Sequence, residues 1–205
     1  MQQTATRCKA LELTGPLREP ASWLSWLADV FKSTPHRLRH MQTVWERAVA
    51  LRSLDLPWLE PAMSDRLELA ALLHDVGRAL DPDDTEPHGF VGARFLDSLG
   101  LDDIAPLVAH HSGARLEAMA RGMADRDRWS VGEPDLLALL TYLDRTTGSS
   151  GGTVSLAQRR SDLATRRGEG SLQLRIFDAT MLEVRRAQQL LGVPVDQWPA
   201  IVRAR

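Results

Sequence analysis

The sequence predicts an all-α protein that folds as a compact helical bundle. Apolar residues recur at the three- and four-residue spacing of one helix face over most of the chain, whereas the period-two alternation typical of strands is missing. Of the 205 residues, 43% are hydrophobic, which is enough to form a core and excludes a disordered chain. The length fits one ordinary domain with small helical additions.

Helices are expected in close succession along the chain. Their apolar stripes lie at 21–32, 36–53, 64–79, 88–98, 102–111, 133–146, 154–166 and 172–191, with a short one near 195–203. Thr34 followed by Pro35 is typical of a helix start, and Ser64 gives a second start signal. Glycines stand where four helices are expected to stop, at Gly77, Gly100, Gly148 and Gly192.

Two polar segments interrupt this helical pattern. Residues 81–87 are expected to form a loop, and residues 148–153, Gly-Ser-Ser-Gly-Gly-Thr, are the best linker candidate. We therefore expect three parts, which are an N-terminal helical extension at 1–33, a central domain at 34–148 and a helical C-terminal extension at 149–205.

The composition narrows the class of protein. The only cysteine, Cys8, excludes an internal disulfide and a multi-cysteine zinc site. No run of apolar residues approaches the roughly 20 that a membrane span needs, and the first residues lack the apolar core of a signal peptide. The net charge of -2 argues against a dedicated nucleic-acid binder. We expect a cytoplasmic protein that does not bind membranes.

The charge is distributed unevenly, because residues 151–205 carry nine arginines against five acids. Two interpretations remain open at this point. The basic extension could lie over an anionic substrate, or it could reflect a general preference for arginine in this chain.

The histidines are the most informative residues of the sequence. His40, His74, His88 and His111 each share a helix face with apolar residues, and Asp144 does so in the helix from 133. Any one of them alone is explained as a core residue with a hydrogen-bond partner. Burying an unpaired imidazole or carboxylate costs several kcal/mol, however, so side chains that converge need a common partner such as a metal cation. Nitrogen and oxygen ligands without thiolate suit iron, manganese, zinc, cobalt or nickel.

The order of these residues resembles the HD superfamily of metal-dependent phosphohydrolases. Three segments carry the resemblance, which are residues 39–45 around His40, residues 70–78 around the pair His74 and Asp75, and residues 140–145 around Asp144. The resemblance covers about residues 36–147. It implies an all-α HD domain with a metal site at its centre.

Further histidines resemble those of the superfamily members that bind two metals. By that resemblance, one ion would be held by His40, His74, Asp75 and Asp144. Asp75 would bridge to a second ion, held by His88 and by His110 or His111. His111 is favoured because it lies on the apolar stripe, whereas His110 has three possible roles, as a ligand, as a residue that orients a ligand or as a phosphate contact.

The resemblance also implies a reaction. Two cations lower the pKa of a shared water molecule, so that a hydroxide attacks phosphorus, and they neutralise the phosphate oxygens. Asp75 and His74 are the predicted catalytic residues, and the expected ions are iron or manganese, with zinc, cobalt, nickel and magnesium as alternatives. The expected activity is hydrolysis of a phosphoester or phosphoanhydride in a nucleotide or related small molecule, by a protein that is a possible homodimer.

The subfamily signatures are mostly missing. The histidine pair lacks the following Gly-Tyr-Pro of cyclic di-GMP phosphodiesterases, and no Glu-Asp pair typical of hydrolases of the alarmone ppGpp follows Asp75. Arg78 stands where 5'-monophosphatases have glutamate. Residues 88–93, His-Gly-Phe-Val-Gly-Ala, partly resemble bacterial symmetrical dinucleoside tetraphosphate hydrolases. The chain departs from them at Arg78, where lysine is usual, and after Asp144.

Substrate contacts and rival functions complete the expectations. Arg78, Arg115 and Arg145 follow the site motifs and are candidates for binding phosphate, because a guanidinium group binds it through two hydrogen bonds. Surface ion pairs are the alternative for each of them. Two rival functions stay open, which are a catalytically silent HD-type module that binds a nucleotide or protein, and a structural helical domain with core histidines.

Overall fold

The computed structural model describes residues 16–54, 56–124 and 127–192. Regular structure in these ranges is helical, apart from one isolated β-bridge between Thr147 and Thr153. The predicted all-α class is therefore confirmed. The helix predicted near 195–203 lies outside the described residues. Within the described ranges, no helix has the length and apolar character that crossing a membrane requires.

The helices follow the predicted order with some changes of boundary. They are α1 (Pro20–Val30), α2 (Pro35–Ala50), α3 (Pro61–Leu73), α4 (Gly77–Leu80), α5 (His88–Asp97), α6 (Ala105–His110), α7 (Ala114–Ala120), α8 (Pro134–Arg145), α9 (Leu156–Arg167), α10 (Leu172–Ala179) and α11 (Met181–Leu191). Short 3₁₀ turns follow α2 at Leu51–Ser53 and α6 at His111–Gly113. Proline stands in the first turn of α1, α2, α3, α6 and α8, where its missing N–H costs no hydrogen bond.

Three expectations about these boundaries were wrong. The helix expected at 64–79 is divided into α3 and α4 by a turn at residues 74–76, where Val76 N–H donates to Leu73 at 3.0 Å and tightens the backbone. The helix expected at 172–191 breaks at Thr180, whose hydroxyl donates to the carbonyl of Phe177 at 3.0 Å. Helix α7 was not expected, and it begins after Gly113, which has a left-handed φ of 81°.

Helix α8 is the centre of the bundle. Every residue from Leu136 to Arg145 is buried, because α2, α3, α6 and α11 all pack against this helix. A helix that is buried on all sides must be apolar on all sides. Asp144 is a polar exception near its C-terminal end, so that its carboxylate is placed in the interior.

The segments that flank the central domain pack against it. In α1, the ring of Trp26 stacks on Phe95 of α5 at 5.6 Å, and Trp23 contacts the same ring edge-on at 6.3 Å. At the other end of the chain, α11 packs along α8. The part boundaries at residues 33 and 148 stay predictions.

The predicted linker at 148–153 is a closed turn. Gly148 N–H donates to Gly152 at 2.6 Å, and Gly151 has a φ of 92°. A Cβ atom at Gly151 would lie 2.9 Å from side-chain atoms of both Arg39 and Thr43 of α2. The turn therefore packs tightly on α2, and glycine is required at 151 both for its conformation and for space.

Helices α4 and α5 approach each other through Gly77. A Cβ atom at Gly77 would lie 1.9 Å from the carbonyl oxygen of His88 and 2.8 Å from the backbone nitrogen of Gly92. Both neighbours are backbone atoms, which cannot move aside as a flexible side chain does. The close approach brings the end of the α3–α4 turn next to the start of α5.

We expect Gly77→Ala to destabilise the protein by at least about 1–3 kcal/mol, the usual cost of overpacking a core. The free energy of unfolding, measured with denaturant, checks this. Gly132→Ala is the matched control, since a Cβ atom at Gly132 meets nothing within 4 Å. Equal stability of the two variants would show that the contact between α4 and α5 is not tight.

Candidate metal centre

Six polar side chains from five places in the chain meet inside the bundle. They are His40 of α2, His74 and Asp75 of the turn between α3 and α4, His88 at the start of α5, His111 of the 3₁₀ turn after α6, and Asp144 of α8. All are buried except His88, which is intermediate. The break between α3 and α4 matters here, because His74 and Asp75 lie at the turn itself and neither lies in the body of a helix.

The first group contains His40, His74 and Asp144, with Asp75 beside it. The Nε2 atoms of His40 and His74 are 3.3 Å apart, and His40 Nε2 lies 3.1 Å from Asp144 Oδ1. His74 Nε2 lies 3.9 Å from both Asp75 Oδ2 and Asp144 Oδ1. Nitrogen and oxygen atoms therefore surround one small volume.

The second group contains Asp75, His88 and His111. His88 Nε2 lies 3.0 Å from Asp75 Oδ1 and 3.1 Å from His111 Nε2. Asp75 thus belongs to both groups, with Oδ2 nearer the first and Oδ1 nearer the second. A carboxylate in this position has the two oxygens needed to bridge two cations.

Hydrogen bonds on the far side of three imidazoles determine their tautomers. The Nδ1 atoms of His40, His74 and His111 lie 2.9, 2.7 and 2.6 Å from the backbone carbonyls of Gly148, Ala71 and Val108. A carbonyl only accepts, so Nδ1 must carry the proton and, in the neutral ring, Nε2 has a bare lone pair. This arrangement orients Nε2 for metal binding, as in many metal sites.

The bare nitrogens explain why these residues fit a cation. The Nε2 atoms of His40 and His74 face each other at 3.3 Å, and Asp144 Oδ1 lies 3.1 Å from the same nitrogen of His40. When His40 Nε2 loses the proton that it shares with Asp144, two lone pairs face each other in a buried place, and a cation between them satisfies both. The donor set of imidazole and carboxylate is one that divalent transition metals accept.

The protonation states of His74, His88 and Asp75 favour binding of a cation. Burial lowers the pKa of His74 to about 4, and burial together with the charge of Arg78 lowers the pKa of His88 to about 3, so both rings are neutral near pH 7. Burial alone would raise the pKa of Asp75, but Arg78, His88 and His74 hold it well below its usual value. This carboxylate is therefore ionised.

His40 and Asp144 form a coupled pair. Burial opposes a proton on His40, but the hydrogen bond to Asp144 and the charges of Asp144 and Asp75 together outweigh it and raise the pKa of His40. For Asp144, burial acts to raise the pKa, but the hydrogen bond from His40 and the charges of His40 and His74 together lower it well below the usual value. A cation bound at this pair would replace the proton, as metal binding commonly does.

Two residues of the centre were missed at the sequence level. Arg37 Nη1 donates to Asp75 Oδ2 at 2.8 Å, and the signal for it was available, since Arg37 precedes His40 by three residues on α2. The hydroxyl of Ser112 donates to Asp144 Oδ2, and Ser112 has a left-handed φ of 53°. No local pattern in the sequence predicted this backbone conformation.

The structure brings some of the predicted residues together and leaves two apart. His110 does not reach the centre, because the chain leaves the helix after His110 and its Nε2 lies 2.8 Å from the carbonyl of Trp129. Arg115 does not reach it either, because its guanidinium group pairs with Asp127 at 2.5 Å on the surface. In this structure His110 and Arg115 therefore lie apart from the other candidates, and their predicted roles as metal ligand and substrate contact stay predictions.

The other two predicted arginines do lie at the centre. Arg78 Nε donates to Asp75 Oδ1 at 2.9 Å. Arg145 donates to the carbonyl of Ser112 at 2.9 Å, and its guanidinium carbon lies 4.6 Å from the ring centre of Phe177. Burial lowers the pKa of Arg145 to about 10, and the group remains charged near pH 7.

A cleft with a volume of about 150 Å³ opens above the centre. Its inner end contains Asp75, His88 and Asp144, and its walls include Arg37, Arg78 and Arg145. The opposite wall comes from α9 and α10 of the C-terminal extension.

The fold is an all-α bundle, and histidines and aspartates from separate parts of the chain surround one buried centre. These features define the class: a helical protein with a candidate metal site. The family model for the HD domain matches residues 37–146, which is more than half of the chain. The chain therefore belongs to the HD domain family, a superfamily of metal-dependent phosphohydrolases, and the predicted membership is confirmed. Comparisons with curated proteins and with solved structures gave no significant match.

His110 and His111 provide a test of the metal centre with adjacent residues. We expect His111→Gln to lower metal affinity by at least about 10–100-fold, since even residues that only orient a ligand have effects of that size. His110→Gln should keep the full metal content, because its ring faces Trp129. Elemental analysis of both purified variants measures this. Full metal in His111→Gln, or loss in His110→Gln, would contradict the arrangement.

The buried histidines also predict how the stability of metal-free protein depends on pH. Burial lowers the pKa of His74 from 6.5 to about 4, so the unfolded chain binds this proton more tightly than the folded chain does. The contribution of His74 to the free energy of unfolding is therefore fully present above pH 6.5, where the ring is neutral in both states. This contribution is lost as the pH falls toward 4, because the unfolded chain takes up the proton first.

As the pH is lowered from 6.5 toward 4, we expect the free energy of unfolding of the wild type to fall more steeply than that of His74→Gln. The difference between the two slopes should be about 1.4 kcal/mol per pH unit. Denaturant titrations between pH 7.5 and 4.5, after chelator treatment, measure both slopes. His36→Gln, at an exposed position, is the control and should follow the wild type. Identical slopes for wild type and His74→Gln would refute the prediction.

Proposed function

We propose that the protein is a phosphohydrolase that uses two divalent cations to cleave a phosphoester or phosphoanhydride of a nucleotide or related small molecule. The observation that carries this proposal is the pair of facing imidazole groups with Asp75 shared between them. Membership in the HD domain family supports the same reaction class.

The ligands are assigned from the two groups of donors. One ion would be held by His40, His74, Asp75 and Asp144, and the other by Asp75, His88 and His111. When bound, the cations supply an activated water molecule as nucleophile and neutralise charge on the phosphate. Iron or manganese is the proposed metal, as the family resemblance implies, and the donor set of imidazole and carboxylate suits both.

The protein's own residues position the groups that react. The Nδ1 hydrogen bonds of His40, His74 and His111 orient each ring toward the centre. The hydroxyl of Ser112 holds one oxygen of Asp144, so that the other oxygen, 3.1 Å from His40, remains directed at the centre. Ser112 and the backbone carbonyls that accept the Nδ1 hydrogen bonds therefore position the side chains that would hold the metal.

Arginines in the cleft supply the contacts to phosphate. Arg37 and Arg78 line the cleft and lie next to the bridging carboxylate, so their guanidinium groups are within reach of a phosphate at the centre. Arg145 forms part of the same wall, where its pairing with Ser112 holds it in place. The positive wall suits an anionic substrate.

The test is an assay of protein loaded with Mn²⁺ or Fe²⁺ against bis(p-nitrophenyl) phosphate and a panel of nucleotides. We expect metal-dependent hydrolysis that a chelator abolishes.

Asp75→Asn should lower kcat/KM by more than about 100-fold and reduce the content of both ions, because it removes the shared carboxylate. Asp102→Asn, at an exposed aspartate, is the matched control and should behave as the wild type.

Protein shown to hold metal but without turnover of any substrate would contradict the proposal and would favour the silent module. A fully active Asp75→Asn variant would contradict the assignment of the bridging ligand.

A further inference from the structure

Helix α9 presents one face to the cleft, although it lies outside the segment that matches the HD domain family. The residues of α9 that line the cleft are Arg159, Leu163, Arg166 and Arg167. Leu163 follows Arg159 by four residues, and Arg166 and Arg167 follow Leu163 by three and four, which places all of them on the same side of the helix. The C-terminal extension therefore forms part of the wall of the proposed active site.

The cleft carries an excess of positive charge. Its lining contains six arginines, Arg37, Arg78, Arg145, Arg159, Arg166 and Arg167, against the four carboxylates Asp75, Asp84, Asp144 and Glu117. Two of these carboxylates are proposed metal ligands, and each divalent cation would add two further positive charges. One phosphate group does not balance that charge, which favours a ligand with several negative charges.

Two arginines of α9 are not occupied by strong ion pairs. Arg166 is held by Asp162 through two contacts of 3.0 and 2.6 Å. Arg159, by contrast, is 4.0 Å from the nearest paired carboxylate oxygen of Asp162, and its side chain is 17% exposed. Arg167 forms no ion pair with any residue in the described part of the chain. Arg167 is therefore available to bind a ligand, and Arg159 has to give up only one long contact to do so.

Arg159 shares the cleft with the metal centre. Asp144 and Arg145 line the same cleft as Arg159, so the guanidinium group of Arg159 belongs to the wall that surrounds the space above the centre.

Arg159 and Arg167 are separated along the helix axis. Residues 159 and 167 are eight positions apart, which corresponds to about 12 Å along an α-helix at 1.5 Å per residue. A cationic row of that length is longer than one phosphate group and matches a chain of phosphates.

We infer that the substrate carries at least two phosphate groups, of which one reacts at the metal centre and the distal part of the phosphate chain is bound along the row from Arg159 to Arg167. The C-terminal extension then sets a preference for polyphosphates over monophosphates. This inference rests on the proposed function for the identity of the reacting group, but the binding of the distal phosphate can be measured without turnover.

The experiment uses the full chain, with inorganic tripolyphosphate and orthophosphate as probes. The divalent cation is kept in excess over the probe, so that chelation by tripolyphosphate does not remove metal from the protein. Isothermal titration calorimetry gives both affinities, and elemental analysis confirms the metal content. We expect tripolyphosphate to bind at least tenfold more tightly than orthophosphate. Arg159→Gln should weaken tripolyphosphate binding by about tenfold, and orthophosphate binding by clearly less.

Arg160→Gln is the matched control, because Arg160 is the next residue of α9 and pairs with Asp178 at 2.9 Å outside the cleft. It removes the same charge and should leave both affinities unchanged. Arg167→Gln provides a second test of the row and should resemble Arg159→Gln. Thermal denaturation of each variant shows that it is folded.

Equal effects of Arg159→Gln and Arg160→Gln, or equal losses for the two probes, would overturn the inference while leaving the hydrolase proposal intact. Tight, Arg159-dependent binding of tripolyphosphate without hydrolysis of any phosphate compound would support the distal site and refute the proposed reaction. The two ideas therefore fail separately.

Discussion

The carboxylate of Asp75 is an ionised group in the interior, and the surrounding structure compensates its charge. An uncompensated buried charge costs several kcal/mol, so its neighbours must supply positive charge or hydrogen-bond donors. Arg37 approaches one oxygen, and Arg78 and His88 approach the other. The turn that divides α3 from α4 is what places this carboxylate between two groups of imidazoles. The close contact at Gly77 then brings His88 to it.

The helical class and most of the centre could be predicted because both depend on local spacing. His40, His74, His88, His111 and Asp144 each lie on an apolar stripe, and a stripe indicates which side of a helix is buried. The same logic favoured His111 over His110. In the structure the two rings separate because the helix ends at His110 and His111 lies in the 3₁₀ turn that follows, so both are buried but only His111 approaches the centre.

The remaining features depend on contacts between distant parts of the chain or on single backbone angles. The break at residues 74–76 replaces one helix by two, although the sequence pattern runs through it. Ser112 reaches Asp144 only because its φ is 53°, which a non-glycine residue seldom adopts. Arg159 reaches the cleft only because α9 folds back over a domain that ends before it. Spacing along one helix carries no information about such a return.

The turn at 148–152 joins the centre to the extension in a second way. The carbonyl of Gly148 accepts the Nδ1 hydrogen bond of His40, and this turn is held against α2 by the tight fit of Gly151. The acceptor that fixes the ring of one proposed ligand thus lies just beyond the end of the family match at residue 146. The segment that matches the family and the segment that follows it are consequently not separable parts. If residues after 146 were exchanged for those of another HD protein, the turn at 148–152 would have to be kept, because it holds the ring of His40 in place.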